Sequence, residues 1–325
     1  MEQKEFYELK ALDLFKDKLA FLVCDSAFDM LDIQLPFPYI RFSEFESNPD
    51  DRDAQLAANL FLNHTCDIIL AIGGGSSMDM AKAVKFHSKT NKPIVAVPTT
   101  SGTGSEATHF AVVYKKGVKQ SIAHMNLLPE YVVLDADLLK TVPLYQKKST
   151  MLDALCQAIE SWWSKRATIQ SIDCSRRAIQ LILENMENYL ANEDCGNKNM
   201  LMAANLAGKA INITTTTAPH AMSYKLTTLY GIAHGHAVAL CLPKVWRHID
   251  AYEEIAQAMG TETVREAILY LEDLLSSLGL TIPSEANASD LIVLRDSVNS
   301  QRLSNHPVHI PEDEILALYK EILEV

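Results

Sequence analysis

Four side chains in the second half of the chain have the types and the spacing of a metal site. Asp153 and Gln157 are four residues apart, which places two side chains on the same face of a helix. His220 and His234 lie in a later segment. Two imidazoles, a carboxylate and an amide oxygen form a donor set suited to Fe²⁺ or Zn²⁺, in which the neutral Gln157 is the weakest ligand. The pattern predicts a metal-dependent enzyme.

Two loops in the first half are rich in glycine and hydroxyl groups. Residues 73–79 follow an apolar run and open a helix, where glycines let the backbone approach a phosphate and helix N–H groups point at it. Residues 98–106 follow the next apolar run, at the edge where open α/β sheets bind ligands. Each loop alone is also compatible with a tight turn or a polar surface loop. The two together favour a nucleotide site.

Asp25, at the end of the first apolar run, has two interpretations. Its carboxylate could accept hydrogen bonds from a ribose diol and repel a 2′-phosphate. It is equally compatible with an ordinary turn residue that ends a strand.

The elements that must position these residues begin with an α/β pattern. Short apolar runs bounded by turn residues predict buried parallel strands at residues 18–24, 39–42, 66–72, 93–97 and 131–134. Helical patterns at residues 51–63 and 77–88 lie between them, which predicts a doubly wound sheet. Residues 108–114 and 119–124 are expected to form a hairpin.

From residue 150 onward the apolar spacing is mainly helical. Residues 171–190 and 263–278 have the pattern of amphipathic helices. We therefore expect an α/β nucleotide-binding domain at residues 1–149 and a helical metal-binding domain at residues 150–325. A cleft between two such domains is a common ligand site.

The composition argues against several classes of function. The net charge of −12 disfavours nucleic-acid binding, which needs a basic surface. The amino terminus lacks the apolar core of a signal peptide, and no apolar run has the length of a membrane span. The six cysteines are scattered without a CxxC pair, which predicts reduced, buried thiols. We expect a cytoplasmic protein that acts on a small molecule and binds neither nucleic acid nor membranes.

Three motifs and the two histidines together resemble the iron-containing (group III) alcohol dehydrogenase family over nearly the whole chain. The motifs are Gly73-Gly-Gly-Ser-x-x-Asp79-x-x-Lys82, Pro98-Thr-Thr-x-Gly-Thr-Gly-Ser-Glu106 and Asp153-Ala-Leu-x-x-Ala-Ile-Glu160. The resemblance implies an α/β N-terminal Rossmann-like domain and an all-α C-terminal domain, an architecture like that of dehydroquinate synthase. NAD(H) and a divalent metal, Fe²⁺ or Zn²⁺, would lie in the cleft between them, and we expect a homodimer.

The resemblance also implies roles for individual residues. The glycines and Ser76 would hold the cofactor pyrophosphate, the threonines would line the ribose and nicotinamide, Lys119 would contact a ribose, and Asp25 would favour NAD over NADP. The cofactor set is Asp25, Gly73, Gly74, Gly75, Ser76, Asp79, Thr99, Thr100, Thr103 and Lys119, and the metal set is Asp153, Gln157, His220 and His234. The metal would polarise an aldehyde oxygen, and the reduced nicotinamide would deliver hydride to the carbonyl carbon.

Two positions depart from the family pattern. Gln157 stands where the family usually has a second metal-binding His, which leaves the identity and affinity of the metal open. Tyr224 stands where a His thought to relay protons usually lies. Either Tyr224 or a bound water would then supply the proton to the developing alkoxide. We count Tyr224, His220 and His234 as the catalytic residues.

The segments around Gln157 and His220 are similar to the branch that reduces phosphonoacetaldehyde to 2-hydroxyethylphosphonate. Lys225 is a candidate cation for the phosphonate, although it is equally compatible with a surface position. Two rival functions are a lyase like dehydroquinate synthase, which uses NAD without net oxidation, and a nucleotide-binding relative without catalytic activity. Net consumption of NADH with a simple aldehyde, together with metal analysis, discriminates among the three.

Overall fold

The computed structural model describes residues 3–47, 49–115 and 118–325, except for the side chains of residues 118 and 119. Within this part of the chain an α/β portion precedes an all-helical portion, which confirms the predicted fold class. None of the helices described has the length and apolar character needed to cross a membrane.

Eight strands are described, with the bounds β1 Lys4–Phe6, β2 Ala20–Cys24, β3 Tyr39–Phe42, β4 Ile68–Gly73, β5 Ile94–Pro98, β6 Phe110–Lys115, β7 Val118–Ala123 and β8 Tyr131–Val133. Six of them form a parallel sheet in the order β1-β8-β5-β4-β2-β3, and β6 and β7 form an antiparallel hairpin. The five predicted parallel strands and the hairpin are confirmed. The edge strand β1 was missing from the prediction.

The central strands are covered on both faces. Every residue of β2, β4 and β5 is buried, as parallel sheets require when both faces are packed. One face packs against helix side chains that include Phe61 and Met80. The other face packs against the 3-10 turns Leu9–Phe15 and Ser26–Met30.

The connection from β2 to β3 differs from a doubly wound pattern. Within the described chain it contains the 3-10 turn Ser26–Met30 and no α-helix. The connection is short, and Pro36 and Pro38 lack the N–H groups that a helix would use. The predicted helical layer is therefore incomplete on this face of the sheet.

The strand order reverses between β2 and β4. From β2 the chain moves outward to β3, whereas from β4 it moves in the other direction to β5 and β8. The loops that follow the two strands leave a crevice at such a switch point, which is where open α/β sheets bind ligands. Asp25 follows β2 and Gly74 follows β4.

Twelve α-helices are described, with the bounds α1 Asp51–Leu62, α2 Gly75–Ser88, α3 Leu144–Trp163, α4 Ile169–Leu190, α5 Asp194–Thr214, α6 Ala218–Tyr230, α7 His234–Ile249, α8 Glu253–Ala258, α9 Val264–Ser277, α10 Leu291–Asp296, α11 Ser300–Ser304 and α12 Glu312–Leu323. The long helix α3 is buried throughout residues 149–163 and forms the centre of the helical portion. The division that we propose between residues 149 and 150 falls within this helix.

The cysteines are free thiols. Cys24, Cys66, Cys156 and Cys241 are buried, as predicted. The prediction of burial is wrong for Cys195, which is exposed in the first turn of α5, and Cys174 is only partly buried. Cys174 packs against the edge of the helical core, whereas Cys195 is exposed to solvent.

Candidate active site

Three helices bring the predicted metal ligands together. α3 carries Asp153 and Gln157, α6 carries His220 in its first turn, and α7 begins at His234. One possible ligand atom from each of Asp153, His220 and His234 lies within 4.8 Å of the other two. Asp153 and His220 are buried, and His234 is partly buried. We call these three residues the ligand cluster.

The side chain of Gln157 supports a divalent ion at the ligand cluster. Its Oε1 atom is buried and has no hydrogen-bond partner among the described residues. An unpaired buried acceptor costs about 1–3 kcal/mol, and a cation would satisfy it. Gln157 lines the same cavity as the cluster, one helical turn from Asp153. The nitrogen and oxygen donors therefore fit Fe²⁺ or Zn²⁺.

Glu160 orients the imidazole of His220. The Nδ1 atom of His220 is hydrogen-bonded to Oε1 of Glu160, while Oε2 of Glu160 accepts hydrogen bonds from N and Oγ1 of Thr217 at 2.7 and 2.9 Å. The Nε2 atom of His220 lies 3.2 Å from Oδ1 of Asp153. When Nδ1 donates its proton to a carboxylate, Nε2 is left to bind a metal.

The charges around His220 are those of a cation site. Burial favours the neutral imidazole, but the carboxylates of Glu160 and Asp153 outweigh burial and raise the pKa of His220 to about 10. Two buried carboxylates converging on one imidazole leave an excess of negative charge at the cluster. A divalent cation would neutralise that charge.

Gly235 lets α7 begin in close contact with α3. A Cβ atom at Gly235 would lie 1.9 Å from the carbonyl oxygen of Ser149 and 2.8 Å from Cβ of Asp153. Any larger residue would push the two helices apart. The backbone N–H of His236 also donates to Oγ of Ser149 at 3.1 Å. These contacts hold the neighbouring His234 beside Asp153.

Tyr224 lies against the ligand cluster. Its ring stacks on that of His234, with centroids 5.6 Å apart and an interplanar angle of 16°. The ring of His234 in turn meets the edge of His220 at 5.3 Å. Tyr224 lines the cavity, so the predicted proton donor and the ligands share one wall.

A single cavity of about 890 Å³ joins the ligand cluster to the glycine-rich loop. Gly74 and Thr100 line it from the α/β portion, and His220 and His234 line it from the helical portion. Its volume is within the usual range for ligand pockets, about 300–1,000 Å³. The cavity therefore connects the two sites that the sequence predicted separately.

The glycine-rich loop packs closely against its neighbours at the switch point. Gly73 has φ +150°, and a Cβ atom there would lie 2.2 Å from Oγ of Ser77 and 3.6 Å from Oδ2 of Asp25. A Cβ atom at Gly75 would lie 2.8 Å from Cγ2 of Thr103. Glycine is thus required by the local packing, and it also leaves the backbone accessible from the cavity.

Most of the predicted cofactor residues face this cavity. The lining includes Asp25, Gly74, Gly75, Ser76, Asp79, Thr99, Thr100 and Thr103, and Gly73 directly precedes them at the end of β4. The hydroxyl of Ser76 donates to the carbonyl of Ser47. Asp79 accepts hydrogen bonds from Oγ of Ser105 and from N of Val112, at 2.7 and 3.0 Å, and so connects the second loop to the hairpin. The side chain of Lys119 lies outside the described residues, and its role stays a prediction.

Lys82 anchors the second loop from inside the protein. Its Nζ atom is hydrogen-bonded to the carbonyl and hydroxyl oxygens of Ser105 at 2.6 and 2.8 Å, to Oγ1 of Thr108 at 3.0 Å and to the carbonyl of Phe110 at 2.8 Å. Burial lowers the pKa of Lys82 to about 8. This network fixes the loop against α2.

Three residues at the site received no role from the sequence. Glu160 is part of a quoted motif and lies on the same face of α3 as Asp153, which was a usable signal. Gly235 adjoins His234, but the need for glycine appears only when α7 packs on α3. Arg302 gave no signal, yet it is the one Lys or Arg among the described lining residues, and Lys225 is not among them.

Two family models match this chain. One, described as iron-containing alcohol dehydrogenase, matches residues 10–136, and the other, the C-terminal model of the Fe-containing alcohol dehydrogenase family, matches residues 147–323. The chain belongs to the iron-containing alcohol dehydrogenase family. Membership confirms the predicted family and an oxidoreductase that acts on alcohols.

Individual relatives agree with this family. The chain is 29% identical over 303 residues to the phosphonoacetaldehyde reductase of Streptomyces viridochromogenes, with 80% of this chain and 77% of that protein covered. It is 33% identical over 247 residues to the 1,3-propanediol dehydrogenase of Citrobacter freundii, with 68% and 64% covered. The sulfoacetaldehyde reductase from Bifidobacterium kashiwanohense, solved in complex with NAD⁺, matches with a TM-score of 0.90 and 26% identity over 99% of this chain and 97% of that one.

Proposed function

We propose that this chain is a metal-dependent, NAD(H)-linked alcohol dehydrogenase that works as an aldehyde reductase. The observation that carries the proposal is the shared cavity, which the glycine and threonine loops line at one end and the ligand cluster lines at the other. Hydride transfer needs a nicotinamide and an activated carbonyl side by side. The family and the NAD⁺-bound sulfoacetaldehyde reductase support the same pair of cofactors, NAD(H) and a divalent metal.

The metal would be held by Asp153, His220 and His234, with Gln157 as a fourth donor. When bound, it supplies Lewis acidity toward a carbonyl oxygen. Glu160 keeps the Nδ1 proton on His220 and so presents Nε2 to the site. The Tyr224 hydroxyl would give a proton to an alkoxide directly or through a water, which the stacking of its ring on His234 supports.

The cofactor would be held at the switch point. Helix α2 begins at Gly75, so its free N–H groups and positive dipole end face the cavity and suit a pyrophosphate. Gly74 and Gly75 offer no side chain that would keep the phosphates away. The Asp25 carboxylate, close to Gly73, would accept hydrogen bonds from the ribose diol and favour NADH over NADPH.

Within this class we propose the reduction of phosphonoacetaldehyde to 2-hydroxyethylphosphonate. The support is similarity to two reductases whose names specify aldehydes that carry an oxyanion, phosphonoacetaldehyde and sulfoacetaldehyde. The proposed product carries a hydroxyl group at one end and a phosphonate group at the other.

Three further properties of the chain are proposals: a homodimer, a cytoplasmic location and a division into domains after residue 149. Size-exclusion chromatography tests the first of them.

The test is a turnover assay on purified protein loaded with Fe²⁺ or Zn²⁺. NADH consumption is measured with phosphonoacetaldehyde and with uncharged aldehydes of similar size. We expect turnover that stops on chelation, returns on adding metal and is absent in His220→Ala. Binding of NAD(H) without net consumption on any aldehyde would instead favour the lyase or the non-catalytic relative.

A further inference from the structure

Arg302 lines the cavity with a guanidinium that has one unpaired nitrogen among the described residues. It lies on the short helix α11 and is partly buried, and its Nη1 atom is buried with no hydrogen-bond partner among the described residues. The guanidinium lies over the ring of Phe110, 5.5 Å from the ring centroid. A buried guanidinium nitrogen without an acceptor is costly, so an acceptor that arrives with a ligand would stabilise it.

Thr216 offers a second donor in the same cavity. Its Oγ1 atom is also buried and has no partner in the described part of the chain. Asn305, one turn after Arg302, donates from Nδ2 to the carbonyl oxygens of Thr214 and Thr216 at 2.8 and 3.2 Å. The segment that carries Arg302 is therefore fixed to the loop that carries Thr216.

The same segment is tied to the ligand cluster. The backbone N–H of Asn299, which caps α11, donates to the carbonyl of Ala221 at 3.3 Å. Ala221 directly follows His220, and Thr217 binds Glu160 behind it. The helix that carries Arg302 is thus tied to the metal end of the cavity.

Arg302 differs in charge from most of the other ionisable residues that line the cavity. The whole chain carries a net charge of −12, and the carboxylates that line the cavity are Asp25, Asp79 and Asp153. A free anion would be repelled from most of this surface, since like charges in a poorly solvated site interact strongly. Arg302 reverses the sign of the charge locally.

We propose that Arg302 and Thr216 bind an oxyanion group of the substrate while its carbonyl lies at the ligand cluster. This inference rests on the proposed function, because it takes the ligand cluster as the place of reaction. The substrate class is a small aldehyde that carries a phosphonate, sulfonate or carboxylate. A guanidinium can donate two parallel hydrogen bonds to such a group. A phosphonate dianion gains more from Arg302 than a monoanion does, which places the phosphonate ahead of the sulfonate and the carboxylate.

The experiment compares Arg302→Gln with a matched control, Lys225→Gln, which removes a nearby cation that is not among the described lining residues. Gln keeps the first two methylene groups of the Arg302 side chain and removes its charge. The measurement is kcat/KM at saturating NADH for phosphonoacetaldehyde, sulfoacetaldehyde, a carboxylate-bearing aldehyde and propanal. We expect wild type to prefer the phosphonate over propanal by at least tenfold. Arg302→Gln should lose that preference and keep propanal turnover within a factor of about two, and Lys225→Gln should behave like wild type.

Three results would overturn the assignment. Wild type that shows no preference for anionic aldehydes has no such site. Equal losses on propanal and on the anions would make Arg302 a structural residue. A raised KM for NADH in Arg302→Gln, with propanal as substrate, would assign the guanidinium to the cofactor phosphates.

A binding measurement separates this inference from the proposed function. The dissociation constant of 2-hydroxyethylphosphonate is measured by calorimetry on wild type, Arg302→Gln and Lys225→Gln, each loaded with metal and NADH, with which an alcohol does not react. Weaker binding by at least tenfold in Arg302→Gln alone supports the oxyanion site even if no aldehyde is reduced. Equal binding by all three proteins contradicts it, even if aldehydes are reduced. Failure of the proposed function is seen separately, as the absence of NADH consumption in wild type.

Discussion

Glu160 and His220 are hydrogen-bonded to each other across the contact between α3 and α6, and both side chains are buried. Glu160 comes one turn after Gln157 on the helix that also carries Asp153. Helix α3 therefore carries the proposed ligands Asp153 and Gln157. It also carries Glu160, which supports the proposed ligand His220 on α6. The second oxygen of Glu160 binds Thr217, which precedes α6 and fixes where that helix begins.

Replacing Glu160 by Gln should weaken metal binding about 10–100-fold, the usual effect of losing the partner of a ligating His. The two oxygens of Glu160 accept hydrogen bonds from three donors, on His220 and Thr217. An amide has only one oxygen, so at least one donor would meet the NH₂ group and the imidazole would turn or change its tautomer. Competition with a chelator measures the affinity, and the exposed Glu184→Gln is the control. Unchanged affinity in Glu160→Gln would show that His220 needs no such support.

Gln157 allows a test that separates metal binding from the stability of the metal-free protein. Gln157→Leu removes a buried oxygen that has no hydrogen-bond partner among the described residues, but also the hydrogen bond between the Gln157 side chain and Asp153. These two effects oppose each other, so the free energy of unfolding of the metal-free protein should change by no more than about 1 kcal/mol. The same change should weaken metal binding, whereas Gln157→His should strengthen it, since an imidazole is a better ligand than an amide. Denaturant unfolding and chelator competition give the two quantities. If neither variant changes the metal affinity, Gln157 is not a ligand.

The strands that the sequence reveals are those buried on both faces. β2, β4 and β5 are continuous apolar runs because helices or turns cover each side of the sheet. β1 consists of Lys4, Glu5 and Phe6, and only its pairing with the distant β8 makes it a strand. The absence of an α-helix from the described connection between β2 and β3 follows from the short length of this connection and from its prolines. The alternation of strands and helices, from which the doubly wound sheet was predicted, does not take either into account.

The ligand cluster could be proposed from the sequence because the spacing of its residues is local or matches a family pattern. The supporting residues depend on how helices pack, and no local pattern contains that information. Lys225 was a candidate for the anion because it adjoins Tyr224, but neighbouring side chains on a helix diverge by about 100°. Arg302 reaches the cavity only because α11 is hydrogen-bonded to the start of α6.

Asp25→Ser should change the preference between the two nicotinamide cofactors. The Asp25 carboxylate caps the N–H of Ala27 at 2.9 Å, and a serine hydroxyl can keep that bond. Removing the charge removes repulsion of a 2′-phosphate. We expect the ratio of kcat/KM for NADPH to that for NADH to rise at least about tenfold, or ~1.4 kcal/mol. Asp32→Ser, an exposed change on the same connection, is the control. A wild type that uses both cofactors equally would contradict the role of Asp25.

Gly235→Ala should damage the metal site through packing alone. The added Cβ atom would meet the carbonyl oxygen of Ser149 at 1.9 Å, so α7 must move away from α3 and take His234 with it. Overpacking of this kind costs about 1–3 kcal/mol. We expect lower stability and weaker metal binding together. In Gly279→Ala, where φ is +66° and the space is open, stability should fall without a change in metal affinity. Normal metal binding by Gly235→Ala would mean that the contact does not position His234.

His306 is a buried histidine away from the cavity that should make the fold sensitive to acid. Its ring meets Trp163 edge-on at 6.1 Å, and neither ring nitrogen has a hydrogen-bond partner among the described residues. Burial, together with the nearby positive charges of His248 and Lys165, lowers the pKa of His306 from 6.5 to about 3. Between these values the unfolded chain binds a proton and the folded chain does not. Stability must therefore fall as the pH drops from 6.5 toward 3, by roughly 1.4 kcal/mol per unit.

His306→Leu should remove this part of the acid sensitivity. Leucine is close in volume and leaves no unpaired polar atoms in the core, so the variant should be at least as stable as wild type at pH 8. The free energy of unfolding is measured by denaturant titration at pH 8, 6, 5 and 4. The difference in free energy of unfolding between wild type and variant should stay constant above about pH 6.5 and widen steadily below it. Carboxylates that titrate in the same range are present in both proteins, so their effect cancels in this difference. His309→Gln, at an exposed position, should run parallel to wild type throughout. If the curves of His306→Leu and wild type are parallel down to pH 4, His306 takes up its proton in the folded protein as readily as in the unfolded chain.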